Sequence, residues 1–173
     1  ALEKGNLFPT DDPQAIGDAK FVLVVLGTPI DEYLSPEFGG IMRALDKYEG
    51  HFRDGHIVIL RSTVYPGTTE KIKNYFLEKG KNVKVAFCPE RITQGYAIEE
   101  TKILPQIVSA FDEETLKEVS DLFRKITLAK IIPVKPIEAE LAKLFTNAWR
   151  YIRFAVPNQF FMIAEEHGLN YQN

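Results

Sequence analysis

Five short strand-like runs, set apart by amphipathic stretches, constrain this chain more than any other feature. They are Phe21–Val25 (FVLVV), His56–Leu60 (HIVIL), Val83–Phe87 (VKVAF), Gln106–Ala110 (QIVSA) and Lys130–Val134 (KIIPV). Strands that read as near-continuous apolar runs are buried on both faces, as in parallel sheets. Pro133 weakens the fifth run, because proline cannot donate to a strand ladder.

Helical patterns fall between the runs. Ser35–Glu49 opens with Ser-Pro-Glu, which suits an N-cap, a first-turn proline and a first-turn acid, and it meets Gly50. Thr68–Lys79 carries Ile72, Tyr75 and Phe76 on one face and stops at Gly80. Asp112–Lys125 opens with Asp-Glu-Glu, which complements a helix N-terminus, and has an apolar stripe of Leu116, Val119, Leu122 and Phe123. Strand and helix alternating at this length predict βαβ crossovers and an α/β fold, a partial doubly wound parallel sheet. From Pro136 to about His167 the pattern is one long helix, with Leu141, Leu144, Phe145, Ala148, Ile152 and Ala155 near helical spacing. Pro157 is expected to bend or break it. Leu2–Gly5 reads as the tail of an earlier helix, and the chain stops five residues after Gly168. Both ends are expected to be cuts.

Composition narrows the function classes. The 173 residues are 45% hydrophobic and 26% charged, which predicts one soluble globular domain of cytoplasmic type. A net charge of −3 argues against a general nucleic-acid binder. No apolar run approaches the roughly 18 residues of a membrane span. A single cysteine, Cys88, excludes an internal disulfide and a multi-thiolate zinc site, and His51, His56 and His167 match no common metal spacing. No metal is expected.

Four clusters can carry chemistry, each just past an apolar run or on the long helix. Gly27, Thr28 and Pro29 follow the first run; they form either a plain turn or a place where a ligand approaches the backbone. In Arg61–Thr69 (RSTVYPGTT), Pro66-Gly67 makes a turn and Thr68 or Thr69 can cap the next helix. Capping leaves Ser62 and Thr63 unexplained, and two hydroxyls at a strand end suit a cofactor ribose, an amide or an ordered water. In Cys88-Pro89-Glu90-Arg91, Glu90 can act as a base, orient a water or contact a cofactor; alternatively Glu90 and Arg91 are a surface pair of about 0–1 kcal/mol. Cys88 reads as a small apolar filler rather than a nucleophile. Lys143 and Asn147, four residues apart, share a helix face beside Leu144 and Phe145, which are expected to be buried. They are either solvated or aimed at a cleft, where a lysine stabilises an oxyanion.

The order and spacing of these clusters are more specific than any one of them. Gly27-Thr28-Pro29-Ile30-Asp31, Ser62-Thr63-Val64-Tyr65-Pro66-Gly67-Thr68-Thr69, Cys88-Pro89-Glu90-Arg91, and Glu138-Ala139-Glu140-Leu141-Ala142-Lys143-Leu144 with Asn147 together resemble the UDP-glucose/GDP-mannose dehydrogenase family over nearly the whole chain. The resemblance implies a Rossmann-like NAD-binding domain ending near residue 135, then the start of a central helical dimerisation domain over 136–173. It implies NAD-dependent, two-step oxidation of a nucleotide sugar's C6 alcohol to the uronate, through a cysteine-bound intermediate, in a homodimer joined by the long helix. Gly27, Thr28, Pro29, Ser62 and Thr63 would line the NAD cleft, with Thr63 also holding the catalytic water. Glu90 would stand near the nicotinamide and serve in base or water chemistry. Arg91 would line the sugar site, and Lys143 and Asn147 would stabilise oxyanions and hold substrate. Cys-Pro-Glu-Arg with Gly95 points within the family to UDP-N-acetylhexosamines, UDP-N-acetyl-D-mannosamine first, and so to polysaccharide biosynthesis.

Departures are part of the expectation. The family's glycine-rich loop is expected upstream and its nucleophilic cysteine downstream, so the chain alone should be inactive and its first strand should be an exposed edge. Asn158-Gln159 stands where the family pattern has Asn-Glu. The alternatives are a UDP-glucose or GDP-mannose enzyme, a two-domain dehydrogenase of 6-phosphogluconate or 3-hydroxyacid type, and a non-catalytic α/β interaction module.

Overall fold

A computed structural model describes residues 5, 7–27, 38–92 and 95–171. Five strands form one sheet in the order β1-β2-β3-β4-β5: β1 Phe21–Val24, β2 Ile57–Leu60, β3 Lys84–Phe87, β4 Gln106–Ala110 and β5 Ile131–Val134. Helix α1, Gln14–Gly17, precedes the first strand; α2 Phe38–Lys47, α3 Thr68–Glu78, α4 Ala97–Ile103 and α5 Glu113–Arg124 lie between successive strands; and α6, Pro136–Glu166, follows the last.

The apolar runs form strands because side chains alternate across the sheet and both faces are covered. Val58, Leu60, Val85 and Phe87 point into a core with Ile41 and Leu45 of α2 and Ile72 and Phe76 of α3. Their neighbours Ile57, Ile59, Ala86 and Cys88 point the other way, against Val119 and Phe123 of α5. The sheet is largely parallel, with one departure. β4 pairs with β3 antiparallel, Ala86 opposite Ala110 and Phe87 opposite Ser109, while β1-β2-β3 and β4-β5 are parallel. A reversal of this kind is invisible in hydrophobic periodicity, which has no direction. β1 lies at one end of the sheet with Leu23 45% exposed, as expected of an open edge.

Local signals set most of the boundaries. Asp112 caps α5, its carboxylate accepting from the Thr115 N–H at 2.8 Å. Gly80 takes φ 70° just after α3, where the Lys81 N–H reaches back to the Phe76 carbonyl at 2.9 Å. The Ser35 cap and the first turn of that predicted helix lie outside the described residues; α2 ends at Lys47, and Gly50 sits inside a following 3₁₀ turn, Glu49–His51. α4 carries no strong sequence signal, and none of its residues is buried.

α6 runs unbroken through Pro157. The proline removes one helical hydrogen bond, but the carbonyl that loses its partner, that of Arg153, lies in an exposed stretch where water can replace it. Only Pro136, Ala139 and Glu140 of this helix are buried. Phe145, expected on the buried side, is 67% exposed, because the sheet and its helices reach only the first turns of α6.

Candidate functional site

In sheets of this type, ligands bind beyond the carboxyl ends of the parallel strands. Three strand ends meet there. After β1 the chain passes through Val25, Leu26 and Gly27; after β2, through Arg61, Ser62 and Thr63; after β3, through Cys88, Pro89, Glu90 and Arg91. The Ser62 hydroxyl donates to the Leu26 carbonyl at 2.6 Å, which ties the first two turns together. Gly27 is exposed, and among the described residues, its chain neighbours aside, none has an atom within 4 Å of the place a Cβ would take. Thr63 is half-buried. Thr28 and Pro29 lie outside the described residues.

Glu90 is the hub. One carboxylate oxygen forms an ion pair with the Arg61 guanidinium. The other accepts from the Arg91 N–H at 2.5 Å and the Ile92 N–H at 2.6 Å. The Glu90 carbonyl accepts from the Lys143 ammonium. Residues 53 apart in sequence are thereby joined, and the third and fourth predicted clusters become one site.

Electrostatics follow from this packing. Burial by itself would raise the Glu90 pKa; the Ile92 amide, the Arg61 guanidinium and the Arg91 amide outweigh it and hold the carboxyl below its ordinary range. Glu90 is therefore an anion with both oxygens engaged. Lys143 shifts the other way: burial lowers its pKa most, against the attraction of Glu90, and the charges of Arg150, Arg91 and Arg61 lower it further. Asn147 is half-buried one turn beyond Lys143 on the same face.

Cys88 is fully buried in the core that faces α5, and burial pushes its thiol up to about 12. It is a packing residue, not a nucleophile.

Sequence reasoning passed over two residues. Arg61 was part of a motif without a role of its own; it is nearly buried, holds Glu90 and stacks its guanidinium 5.0 Å from the Phe123 ring centre. A charged residue ending an otherwise apolar strand was the available signal. Glu140 is 1% exposed, and its carboxylate, not a local threonine hydroxyl, caps α3. The signal was a glutamate on the apolar side of a helix, three residues before Lys143.

At these strand ends an exposed glycine, the half-buried Thr63 and exposed apolar surface at Val25 and Leu26 lie together beside the buried Ser62, an arrangement that could hold one end of a dinucleotide. No Gly-x-Gly-x-x-Gly occurs in the sequence to grip a pyrophosphate. Among the described residues no cluster could hold a metal ion, and no helix is long and apolar enough to cross a membrane.

Comparison with known proteins agrees with the geometry. Residues 1–127 match the model of the UDP-glucose/GDP-mannose dehydrogenase family, NAD binding domain. The UDP-N-acetyl-D-mannosamine dehydrogenase of Methanocaldococcus jannaschii is 28% identical over 98% of this chain and 40% of its own length. The solved UDP-D-ManNAc dehydrogenase of Pyrococcus horikoshii superposes with a TM-score of 0.90 at 26% identity, over 99% of this chain and 42% of its own. A GDP-mannose dehydrogenase of Pseudomonas aeruginosa superposes with a TM-score of 0.88 at 25% identity, over 98% and 41%. The chain thus spans about 40% of the curated relatives it matches. The chain belongs to the UDP-glucose/GDP-mannose dehydrogenase family, with residues 1–127 matching that family's NAD binding domain.

Proposed function

We propose that the chain is the nicotinamide-side portion of an NAD-dependent nucleotide-sugar 6-dehydrogenase acting on a UDP-N-acetylhexosamine, UDP-N-acetyl-D-mannosamine first. On this reading residues 1–135 are the later part of the NAD-binding domain, and residues 136–173 begin a central helical domain that pairs with a second copy. The enzyme works in the cytoplasm, in polysaccharide biosynthesis. The observation that carries the reading is the bond from Lys143 to the Glu90 carbonyl, which brings the helix cation onto the strand ends that fit NAD.

Gly27, Thr28, Pro29, Ser62 and Thr63 hold the nicotinamide end, and NAD supplies the hydride acceptor. Thr63 also holds the water. Glu90, ionised and bonded through both oxygens, suits orienting that water and contacting the cofactor better than abstracting a proton, since a base works best with a pKa near the working pH. Arg91 lines the sugar site. The Lys143 ammonium and the Asn147 amide donate to oxygen atoms that become negative during oxidation and hydrolysis, and one rigid helix keeps their spacing.

The test is NADH release by the complete protein with UDP-ManNAc, UDP-GlcNAc and UDP-glucose. Fastest turnover with UDP-ManNAc is expected, and no turnover with any of the three would refute the reading. The present chain alone should release no NADH, because its only thiol is buried and protonated and it has no glycine-rich loop.

A further inference from the structure

α6 meets the rest of the molecule along its first turns, where Ala139 sits in the core and Ala142 packs against it. Pro136, Ala139 and Glu140 are its buried residues, and one of the three is a carboxylate. Glu140 Oε2 accepts from the Gly67 N–H at 2.6 Å. Its Oε1 accepts from the Thr69 N–H at 2.8 Å and from the Thr69 hydroxyl at 2.6 Å. Gly67 is the N-cap residue of α3 and has no cap bond from a side chain of its own. The first N–H groups of a helix need partners, and its N-terminus favours negative charge. A buried carboxylate equally needs strong donors. Glu140 and the α3 terminus therefore satisfy each other across 73 residues of sequence.

Lys143 lies three residues further along α6, on the same face. It donates to the Glu90 carbonyl. α6 is thus pinned at two points less than one turn apart, once to the turn after β2 and once to the turn after β3. The first of these turns also carries Ser62 and Thr63. We propose that Glu140 is a positioning residue: its clamp on Gly67 and Thr69 sets where Lys143 sits and makes the cofactor-side turn and the lysine helix move as one body. This rests on the proposed function for the part Lys143 plays in turnover, and on geometry alone for the clamp.

The experiment is a double-mutant cycle in the complete protein. Glu140→Gln keeps the volume but turns an NH2 group toward the Gly67 N–H. It is expected to lower kcat by about tenfold or more, the scale of a small misplacement of a reacting group, with KM for NAD and nucleotide sugar within about threefold. Because the effect passes through Lys143, Glu140→Gln combined with Lys143→Ala should be no slower than Lys143→Ala alone. Losses that multiply would overturn the proposal. Thr69→Val, which removes only the hydroxyl, is the milder variant should Glu140→Gln not fold, and the same cycle applies to it. A second readout needs no turnover. Acylation of Lys143 by acetic anhydride, read by peptide mass spectrometry, should rise several-fold in either variant while other lysines stay unchanged. Unaltered Lys143 labelling would also overturn the proposal. A wild-type protein that oxidises no nucleotide sugar would refute the proposed function and leave the labelling experiment to decide the clamp.

Discussion

The two halves of α6 are built from similar residues and have opposite surroundings. In the first half, Ala139 and Glu140 are buried and Lys143 is half-buried, held by the turns after β2 and β3. In the second half, Ile152, Phe154, Phe160, Phe161 and Met162 are exposed, Phe154 at 66% and Phe160 at 55%. The docked half is held by buried polar bonds together with the packing of Ala139 and Ala142 on the core; the free half exposes apolar area, with Phe161 edge-on to Tyr171. Monomeric proteins rarely expose a large contiguous apolar surface, and such surfaces mark interaction sites. Helical periodicity therefore shows that a face exists without showing what covers it. The proposed homodimer supplies the cover.

Paired aromatic truncations give the sharpest contrast. Phe76→Ala, in the core under α3, should destabilise the chain by about 3–5 kcal/mol. Phe154→Ala should change the stability of the monomeric chain by less than about 0.5 kcal/mol. Urea denaturation of both variants checks this, and equal losses would break the comparison. In the complete protein, Lys143→Ala should cut turnover by about 100-fold or more, the loss typical of a fixed oxyanion donor. Steady-state kinetics showing little change would remove Lys143 from the mechanism.

Charges in the free half test the dimer. Phe154→Glu with Phe161→Glu should shift the complete protein from dimer to monomer in sedimentation velocity while leaving its far-UV circular dichroism unchanged. A wild-type protein that sediments as a monomer would remove the proposed cover.

The smallest effect comes from Glu90. Its folded pKa lies below the ordinary 4.5, so the folded state binds this proton less readily than the unfolded state. The stabilisation is present above the ordinary value and is lost as pH falls through the folded value. Urea midpoints should therefore fall between about pH 5 and pH 3, and less steeply in Glu90→Gln. The same slope in both proteins would contradict the Arg61 and amide bonding seen at this carboxylate.

Much of the fold was legible because its signals are local. The runs HIVIL and VKVAF became central strands covered on both faces, and Asp112 became a cap on α5. The meeting of Glu90 with Lys143 was foreshadowed by the family resemblance, not by spacing. α4 went unread because it is short and has no buried face to impose a period. The cap on α3 was read as Thr68 or Thr69, the nearest hydroxyls. The group that fills it comes from α6, and no local rule reaches that far.

By itself the sequence determined the strands, most of the helices and a set of residues in a familiar order. These follow from periodicity, capping chemistry and residue type, which act over a few residues. Only the tertiary structure decided that β4 runs against β3, that Arg61 holds Glu90, that Glu140 caps α3 and that the second half of α6 stands bare. Each of those depends on which groups far apart in the chain come to lie side by side, and burial and charge pairing act only once they do.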